Sequence, residues 1–416
     1  MSNVVPEGWE YKPLSSLADI DKGSLKASTD SDYKFRYIDI ASVSTGRIDL
    51  PSERISFAEA PSRARKKVQS GDVLMSTVRP NLKSFAYFEA KGNDYIASTG
   101  FSVIRAVNGN DGRFLFNSIL ADDITRQIEA KIVGSNYPAI NSSDVKNLEV
   151  LTPTKPEQKK IAAILTSVDD VIEKTQAQID KLKGLKTGMM QELLTRGVGV
   201  DGNPYTEFKD SPVGRIPKGW EVRRLDSLAT VVDSMHKTPR FTESGKPMVR
   251  VTEIRQSEVL NISGAMNVDK DTFDTFSKNY RPRFGDTLIA RVGAYFGATS
   301  YIGDTKEFCL GQNTASIRPV HIDSNYLFIY LNSQIIRQQM DDAVAVGAQP
   351  SLSLKAIKEL SIALPSTDEQ ELIAKSICSV RNKVDALVNK LNQQKLLKKA
   401  LMQDLLTGKV RVKVES

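Results

Sequence analysis

The stretch EQKKIAAILTSVDDVIEKTQAQIDKLKGLKTGMMQELLT, residues 157–195, decides the architecture of this chain. It contains no proline, and Thr175 and Lys186 are the polar interruptions of an apolar stripe whose spacing alternates between four and three residues. The stripe consists of Ile161, Leu165, Val168, Ile172, Ile179, Leu182, Met189 and Leu193. This spacing is typical of a coiled-coil seam and predicts one helix of about 58 Å, at about 1.5 Å per residue.

A second stretch, residues 369–407, repeats this pattern. Its seam is Ile373, Ile377, Val380, Val384, Leu387, Leu391, Leu401 and Leu405. Each stretch follows a proline-containing turn and ends near a glycine, Gly197 or Gly408, which marks helix boundaries. Because one helix cannot bury its own stripe, we expect the two helices to pair as an antiparallel coiled coil with a globular domain at each end. The alternative is that the stripes mediate homodimerisation.

The rest of the chain is also present twice, with a period of about 212 residues. The repeated anchors are Pro6-Glu7-Gly8-Trp9 with Pro217-Lys218-Gly219-Trp220, Gly71-Asp72 with Gly285-Asp286, Ile104-Arg105 with Ile317-Arg318, Glu157-Gln158 with Glu369-Gln370, and residues 190–195 with 402–407. Between the anchors the copies diverge, since RPNLK at 79–83 aligns with GAYFG at 293–297. A common scaffold therefore carries two unlike surfaces.

These patterns predict an α+β protein with two pseudo-symmetric domains, each with a small, mostly antiparallel sheet and helices. Short β-rich runs lie at 37–40, 73–78 and 101–104, and a helix is expected around 113–130. The predicted segments are a first domain at 1–155, a long helix at 156–198, a linker at 199–206, a second domain at 207–367, a second long helix at 368–410 and a tail at 411–416.

Composition limits the possible functions. The 416 residues exceed one usual hydrophobic core, and a net charge of +7 suits a polyanionic partner without requiring one. No apolar run is long enough to span a membrane and no signal sequence begins the chain, so we expect a cytoplasmic protein. Cys309 and Cys378 are isolated, and only His236 and His321 could add imidazole ligands, so no metal site is expected.

A P-x-G-W opening, a G-D-x-L turn, and E-Q leading into a long helix closed by Q-E/D-L-L-T, all present twice, resemble the type I restriction-modification specificity subunits. The resemblance covers essentially the whole chain. It implies two target recognition domains that each read one half of a split DNA sequence, and paired helices that act as ruler and docking site. It further implies double-stranded DNA, two methyltransferase subunits and two restriction subunits as partners, with S-adenosylmethionine, ATP and magnesium held by those partners and no cofactor in this chain.

Signatures of catalysis are weak or missing. No phosphate-binding loop occurs, and Asn203-Pro204-Tyr205 lacks the second proline of an adenine methyltransferase motif. Asp72 with Glu89 and Lys91 superficially resembles a nuclease site, but the second copy retains only the aspartate. No catalytic residue is therefore assigned.

Residues that read bases should lie in the divergent loops, because arginine, asparagine and glutamine match base edges while the scaffold is shared. The candidates are Arg79, Asn81, Lys83, Ser135, Asn136 and Tyr137 in the first domain, and Arg291, Tyr295, Gln312, Asn313 and Gln349 in the second. A short basic run, Arg63, Arg65, Lys66 and Lys67, either follows phosphates or is an ordinary solvated face.

Two other classes of function remain open. The chain could be a stand-alone DNA-binding or nuclease protein, which cleavage of DNA by the chain alone would indicate. It could also be a coiled-coil scaffold, which a lack of DNA affinity even with its partners would indicate.

Overall fold

The structure is a computed structural model that describes residues 5–132, 138–199, 201–256, 258–304, 306–344 and 351–414. The chain forms two compact units. The first combines Met1–Ala177 with Asn389–Ser416, and the second is Gln178–Val388. Each long helix therefore contributes one part to each unit, so each unit contains one recognition domain and two helical segments.

The first unit contains two four-stranded sheets and two short two-stranded pairings. Its strands are Glu10–Pro13, Ala18–Ile20, Lys34–Ile38, Val43–Ser44, Arg47–Ile48, Ile55–Ser56, Ala64–Val68, Asp72–Ser76, Phe85–Tyr87, Tyr95–Ser98, Phe101–Ala106 and Glu149–Thr152. Its short helices are Leu14–Leu17, Ile40–Ser42, Pro80–Leu82, Gly112–Leu120, Asp122–Lys131 and Ser142–Lys146, of which the second and third are 3-10 turns.

The second unit contains a five-stranded and a four-stranded sheet, again with two short pairings. Its strands are Phe208–Lys209, Ile216–Pro217, Glu221–Arg224, Ala229–Asp233, Phe241–Thr242, Lys246–Val249, Glu258–Val259, Met266–Val268, Thr287–Ala290, Thr299–Tyr301, Cys309–Leu310, Thr314–Pro319 and Ser361–Leu364. Its short helices are Leu225–Leu228, Lys270–Phe276, Gly293–Tyr295, Ser324–Leu331, Gln334–Asp342 and Leu354–Lys358, of which the third is a 3-10 turn.

Most strand pairs in the described residues are antiparallel, which confirms the predicted fold class. In the first domain, Asp72–Ser76 and Phe101–Ala106 pair along their lengths, with Phe101 opposite Ser76. In each domain an antiparallel ribbon joins the opening strand to the strand before the long helix, placing Glu10 opposite Thr152 and Glu221 opposite Leu364. These ribbons tie the two ends of each domain to the start of its helix.

The helix expected around 113–130 is in fact two helices. Ala121 is extended, with ψ at 153°, and it separates Gly112–Leu120 from Asp122–Lys131. No proline or glycine marks this break in the sequence. Asp122 and Asp123 lie in the first turn of the second helix, where negative charge stabilises a helix N-terminus.

The long helices are Lys155–Arg196 and Thr367–Leu406. Inside the first unit, Ile161 and Leu165 share a buried cluster with Leu405 and Leu406, so the start of one helix packs near the end of the other. Inside the second unit, Leu194 lies in one cluster with Ile373 and Ile377. Within each unit the two helical segments therefore run antiparallel. All the seam residues are buried or half-buried, including Val168, Ile172, Ile179, Leu182, Val380, Val384, Leu387 and Leu391.

A buried glutamate at the start of the second long helix connects several segments of the second unit by hydrogen bonds. Glu369 is fully buried, and one of its carboxylate oxygens accepts hydrogen bonds from the backbone amides of Val198 and Gly199, at 3.0 and 3.1 Å. The other accepts from the Trp220 indole at 2.9 Å and the Tyr205 hydroxyl at 2.8 Å. One carboxylate thus connects the helix, the domain opening and the segment that follows the first long helix.

Glu157 has the same position in the first unit. It accepts hydrogen bonds from the Trp9 indole at 3.5 Å and the Arg411 Nε at 2.9 Å. Burial acts to raise the pKa of Glu157, but hydrogen bonds from Thr154 and Arg411 outweigh burial and hold that pKa below its ordinary value. Gly408 follows the second long helix with φ +68°, a left-handed conformation that glycine adopts without strain. A side chain would also clash at this position, because a Cβ would lie 2.4 Å from the Pro6 side chain.

We predict that Glu369→Gln lowers the free energy of unfolding of the second unit by about 2–4 kcal/mol, because glutamine has one acceptor oxygen and leaves buried donors without an acceptor. Denaturant unfolding of a Trp9→Phe background checks this, since Trp220 is then the only tryptophan of the chain. The exposed Glu371 on the same helix provides the control, and Glu371→Gln should change stability by less than about 0.5 kcal/mol. Equal changes in the free energy of unfolding for the two substitutions would show that the hydrogen bonds to the buried carboxylate do not stabilise the second unit.

Candidate nucleic-acid interface

The first divergent loop is a single 3-10 turn, Pro80–Leu82, between two residues in the left-handed conformation. Arg79 has φ +48° and Lys83 has φ +51°. Arg79 and Asn81 are exposed, whereas Lys83 is half-buried and its ammonium donates to the Leu120 carbonyl at 3.1 Å. Left-handed backbone is unfavourable for residues other than glycine, and such strain is often found at functional sites. The loop thus presents one guanidinium and one amide outward.

The segment at 138–140 supports this turn. The Arg79 amide donates to the Pro138 carbonyl at 2.7 Å, and the Ile140 amide donates to the Thr77 carbonyl at 3.0 Å. Ser135, Asn136 and Tyr137 lie outside the described residues. The structure therefore brings the backbone at 138–140, which follows these residues in the chain, to the Arg79 turn.

The second domain repeats this support with different side chains. The Leu352 amide donates to the Arg291 carbonyl at 2.8 Å, as the segment at 138–140 does for the first domain. The Arg291 guanidinium forms an ion pair with Asp233, donates to the Leu352 carbonyl at 2.9 Å, and is only 13% exposed. A base contact from Arg291 would therefore have to replace these internal bonds.

The other candidates of the second domain lie on two neighbouring turns. Tyr295 is exposed on the 3-10 turn Gly293–Tyr295. Gln312 is exposed and Asn313 is half-buried with φ +66°, and the Asn313 carbonyl accepts from the Arg291 amide at 2.9 Å. Gln349 lies outside the described residues.

Three residues of the short basic run lie within the strand Ala64–Val68 and Arg63 directly precedes it, so their side chains alternate between two faces. Arg63 and Lys67 are exposed. Lys66 pairs with Asp21 at 2.8 Å, and the Arg65 guanidinium lies 4.7 Å from the centre of the Phe57 ring. Only two of the four cations are therefore exposed to a phosphate.

The repeated aspartates hold the scaffold. Asp72 is fully buried and accepts two hydrogen bonds of 2.7 Å from Arg105. Asp286 accepts from Arg318 at 2.9 and 2.7 Å and from the Tyr280 hydroxyl at 2.9 Å. Sequence reasoning interpreted these aspartates only as turn residues. The signal for the pairing was available, because each arginine repeats together with its aspartate.

The nuclease-like pattern of Asp72 with Glu89 is therefore not a metal site, because each carboxylate has its own arginine partner. Asp72 pairs with Arg105, and Glu89 pairs separately with Arg113. Within the described ranges, no group of three histidine, cysteine, aspartate or glutamate residues could hold a metal ion. Burial raises the pKa of the Cys309 thiol to about 12 and also raises that of Cys378, so both thiols stay protonated at neutral pH.

Comparison with known proteins gives the same duplication. Residues 6–183 and 217–395 each match the family described as the type I restriction modification DNA specificity domain. The MjaVIII specificity subunit of a type I restriction enzyme from Methanocaldococcus jannaschii is 24% identical, over 98% of this chain and 94% of that protein. The HindI specificity subunit from Haemophilus influenzae is 22% identical, over 95% of this chain and 100% of that protein.

Solved structures resemble the fold over nearly the whole length. The S subunit of a type I restriction-modification system from M. genitalium gives a TM-score of 0.61 at 14% identity, with 97% of each chain covered. A chain from a structural study of assembly and conformational transition in a type I R-M system gives 0.58 at 23% identity, covering 98% of this chain and 100% of that chain. Among the described residues, no helix is both long and apolar enough to cross a membrane. With two family matches that together span most of its length, the chain belongs to the type I restriction-modification specificity subunits.

Proposed function

We propose that the chain is a non-catalytic specificity subunit that reads a bipartite, asymmetric DNA sequence, one half with each recognition domain. One observation carries this proposal. The same scaffold occurs twice, and the loops at equivalent places differ. The exposed Arg79 and Asn81 of the first domain correspond to a glycine-containing turn with an exposed tyrosine in the second.

Direct reading of bases fits this difference, because arginine and asparagine each form paired hydrogen bonds with particular base edges. Two unlike loops on one scaffold would recognise two unlike half-sequences. A shared catalytic site would instead require the same chemical groups in both copies, whereas the aspartate and arginine that repeat, Asp72 with Arg105 and Asp286 with Arg318, are used in scaffold ion pairs.

The proposal assigns the chemistry to other subunits. Two methyltransferase subunits would bring S-adenosylmethionine and methylate adenine, and two restriction subunits would bring ATP- and magnesium-dependent translocation and cleavage. This chain would contribute recognition of double-stranded DNA, the spacing of the half-sequences and docking surfaces along the long helices.

The proposal predicts that the two domains read independently. Replacing residues 207–367 with the equivalent domain of a relative that has a different target should change one half of the methylated sequence and leave the other half intact. Mapping of methylated adenines across a genome measures both halves together. The reciprocal replacement of residues 1–155 is the matched control and should change only the opposite half. A change in both halves after either replacement would contradict independent reading.

Arg79→Ala should weaken binding to the target by about 1–3 kcal/mol and relax the choice at one base pair, as expected for a paired contact with guanine. The backbone strain at Arg79 is similar for alanine, and thermal unfolding of the variant separates a loss of stability from a loss of base contact. Arg79→Lys is the control, because lysine keeps the charge but lacks the planar guanidinium fork that makes the paired contact specific. It should lose the same base choice while keeping more of the overall affinity. A uniform loss over all sequences in both variants would assign Arg79 to phosphate.

A further inference from the structure

Each unit contains a groove at the same place in its repeat. The first, of about 830 Å³, lies between the last turns of the second long helix and the junction at 120–123. The second, of about 720 Å³, lies between the last turns of the first long helix and the junction at 332–335. Each junction joins the same pair of short helices in its domain.

The helix residues that line the two grooves correspond at a spacing of 212. The first groove is lined by Lys395, Lys398, Met402, Gln403 and Thr407, and the second by Lys183, Lys186, Met190, Gln191 and Thr195. Beside them, Leu397 and Leu185 are also equivalent, and both are more than half exposed, at 55% and 51%. Lysines and an exposed leucine thus repeat in the scaffold, outside the divergent loops.

One charged position beside the grooves differs in sign between the two units. In the first unit, Lys398 forms an ion pair of 2.6 Å with Asp169 on the other long helix. Their counterparts in the second unit are Lys186 and Arg381, so the carboxylate is replaced by a second cation. Both cations are half-buried and line one small cavity, which adjoins the second groove through Lys186, Met190 and Asn332.

Neither of these two cations forms an ion pair within the described part of the chain. Lys186 has no ion pair there, and the Arg381 Nε is buried without a hydrogen-bond partner, although its guanidinium lies 5.9 Å from the centre of the Phe328 ring. Burial and the neighbouring Arg381 lower the pKa of Lys186, while Asp385 raises it without forming an ion pair. Two cations in this position repel each other and favour an anion between them.

We propose that a carboxylate side chain of a docked methyltransferase subunit binds between Lys186 and Arg381 and secures that subunit in the second groove. This inference rests on the proposed function, which supplies a protein partner in two copies. A protein carboxylate fits better than a DNA phosphate, because the groove also offers apolar surface at Met190, Ile335 and the exposed Leu185. The first groove, in which Lys398 already has a carboxylate partner, would take the other copy without this contact.

The experiment is a titration of the full chain with the methyltransferase subunit of the same system, in which native mass spectrometry counts the bound copies. The wild-type chain should bind two copies. Arg381→Gln should weaken binding of one copy by about tenfold, and Arg381→Asp, which restores the pair of the first unit, by more than that. The Arg381→Asp chain should unfold at the wild-type temperature or above, because an ion pair replaces a repulsion. Lys186→Gln gives a second test, with the same expected loss of one copy.

Arg196→Gln is the matched control. Arg196 lines the same groove, is 70% exposed and pairs with Glu192, so its loss removes one positive charge away from the proposed contact. It should change the affinity by less than about twofold. Two copies bound with unchanged affinity by the Arg381 and Lys186 variants would overturn the inference and leave the proposed function standing. Unchanged methyltransferase binding with a loss of DNA affinity would overturn it in favour of a phosphate. A wild-type chain that binds no methyltransferase subunit would contradict the proposed function itself.

Discussion

Each half of this protein depends on a buried carboxylate at the start of a long helix. Glu369 receives four hydrogen bonds, from the indole that opens its domain, from a tyrosine hydroxyl and from two amides that follow the other long helix. Glu157 joins Trp9 to Arg411 in the same way. Buried carboxylates require such partners, because an unpaired charge inside a protein is very costly. The residues around each glutamate therefore have little freedom to change.

This constraint separates the parts of the chain that are fixed from the parts that can vary. The glutamates, the tryptophans and the Asp72–Arg105 and Asp286–Arg318 pairs hold the scaffold in both copies. The turns at 80–82 and 293–295 extend from that scaffold and are supported through backbone hydrogen bonds, which do not depend on side-chain identity. Different side chains can therefore occupy these turns on one scaffold, as the proposed reading of two different DNA half-sequences requires.

Periodicity and duplication predicted the long helices, the α+β class and the two-domain plan, because each rests on patterns that extend over many residues. Local details were less accessible. The break at Ala121 carries no proline or glycine, so a pattern of apolar residues continued across it. The internal ion pair of Arg291 with Asp233 joins residues 58 apart, and nothing in the local sequence distinguishes an arginine that faces solvent from one used inside the domain. The repeat also did not reveal the change of charge from Asp169 to Arg381, because the effect of that charge depends on Lys186, its neighbour on the other helix.

We propose that this chain selects a DNA sequence made of two separate halves. Mapping of methylated adenines across the genome of the host, with this gene intact, deleted and restored, tests it most directly. We expect deletion to remove methylation at one motif, in which two short specified halves are separated by a fixed number of unspecified bases, and restoration of the gene to return it. Methylation that is unchanged by deletion, or the loss of a single continuous motif, would show that the chain does not select a two-part sequence.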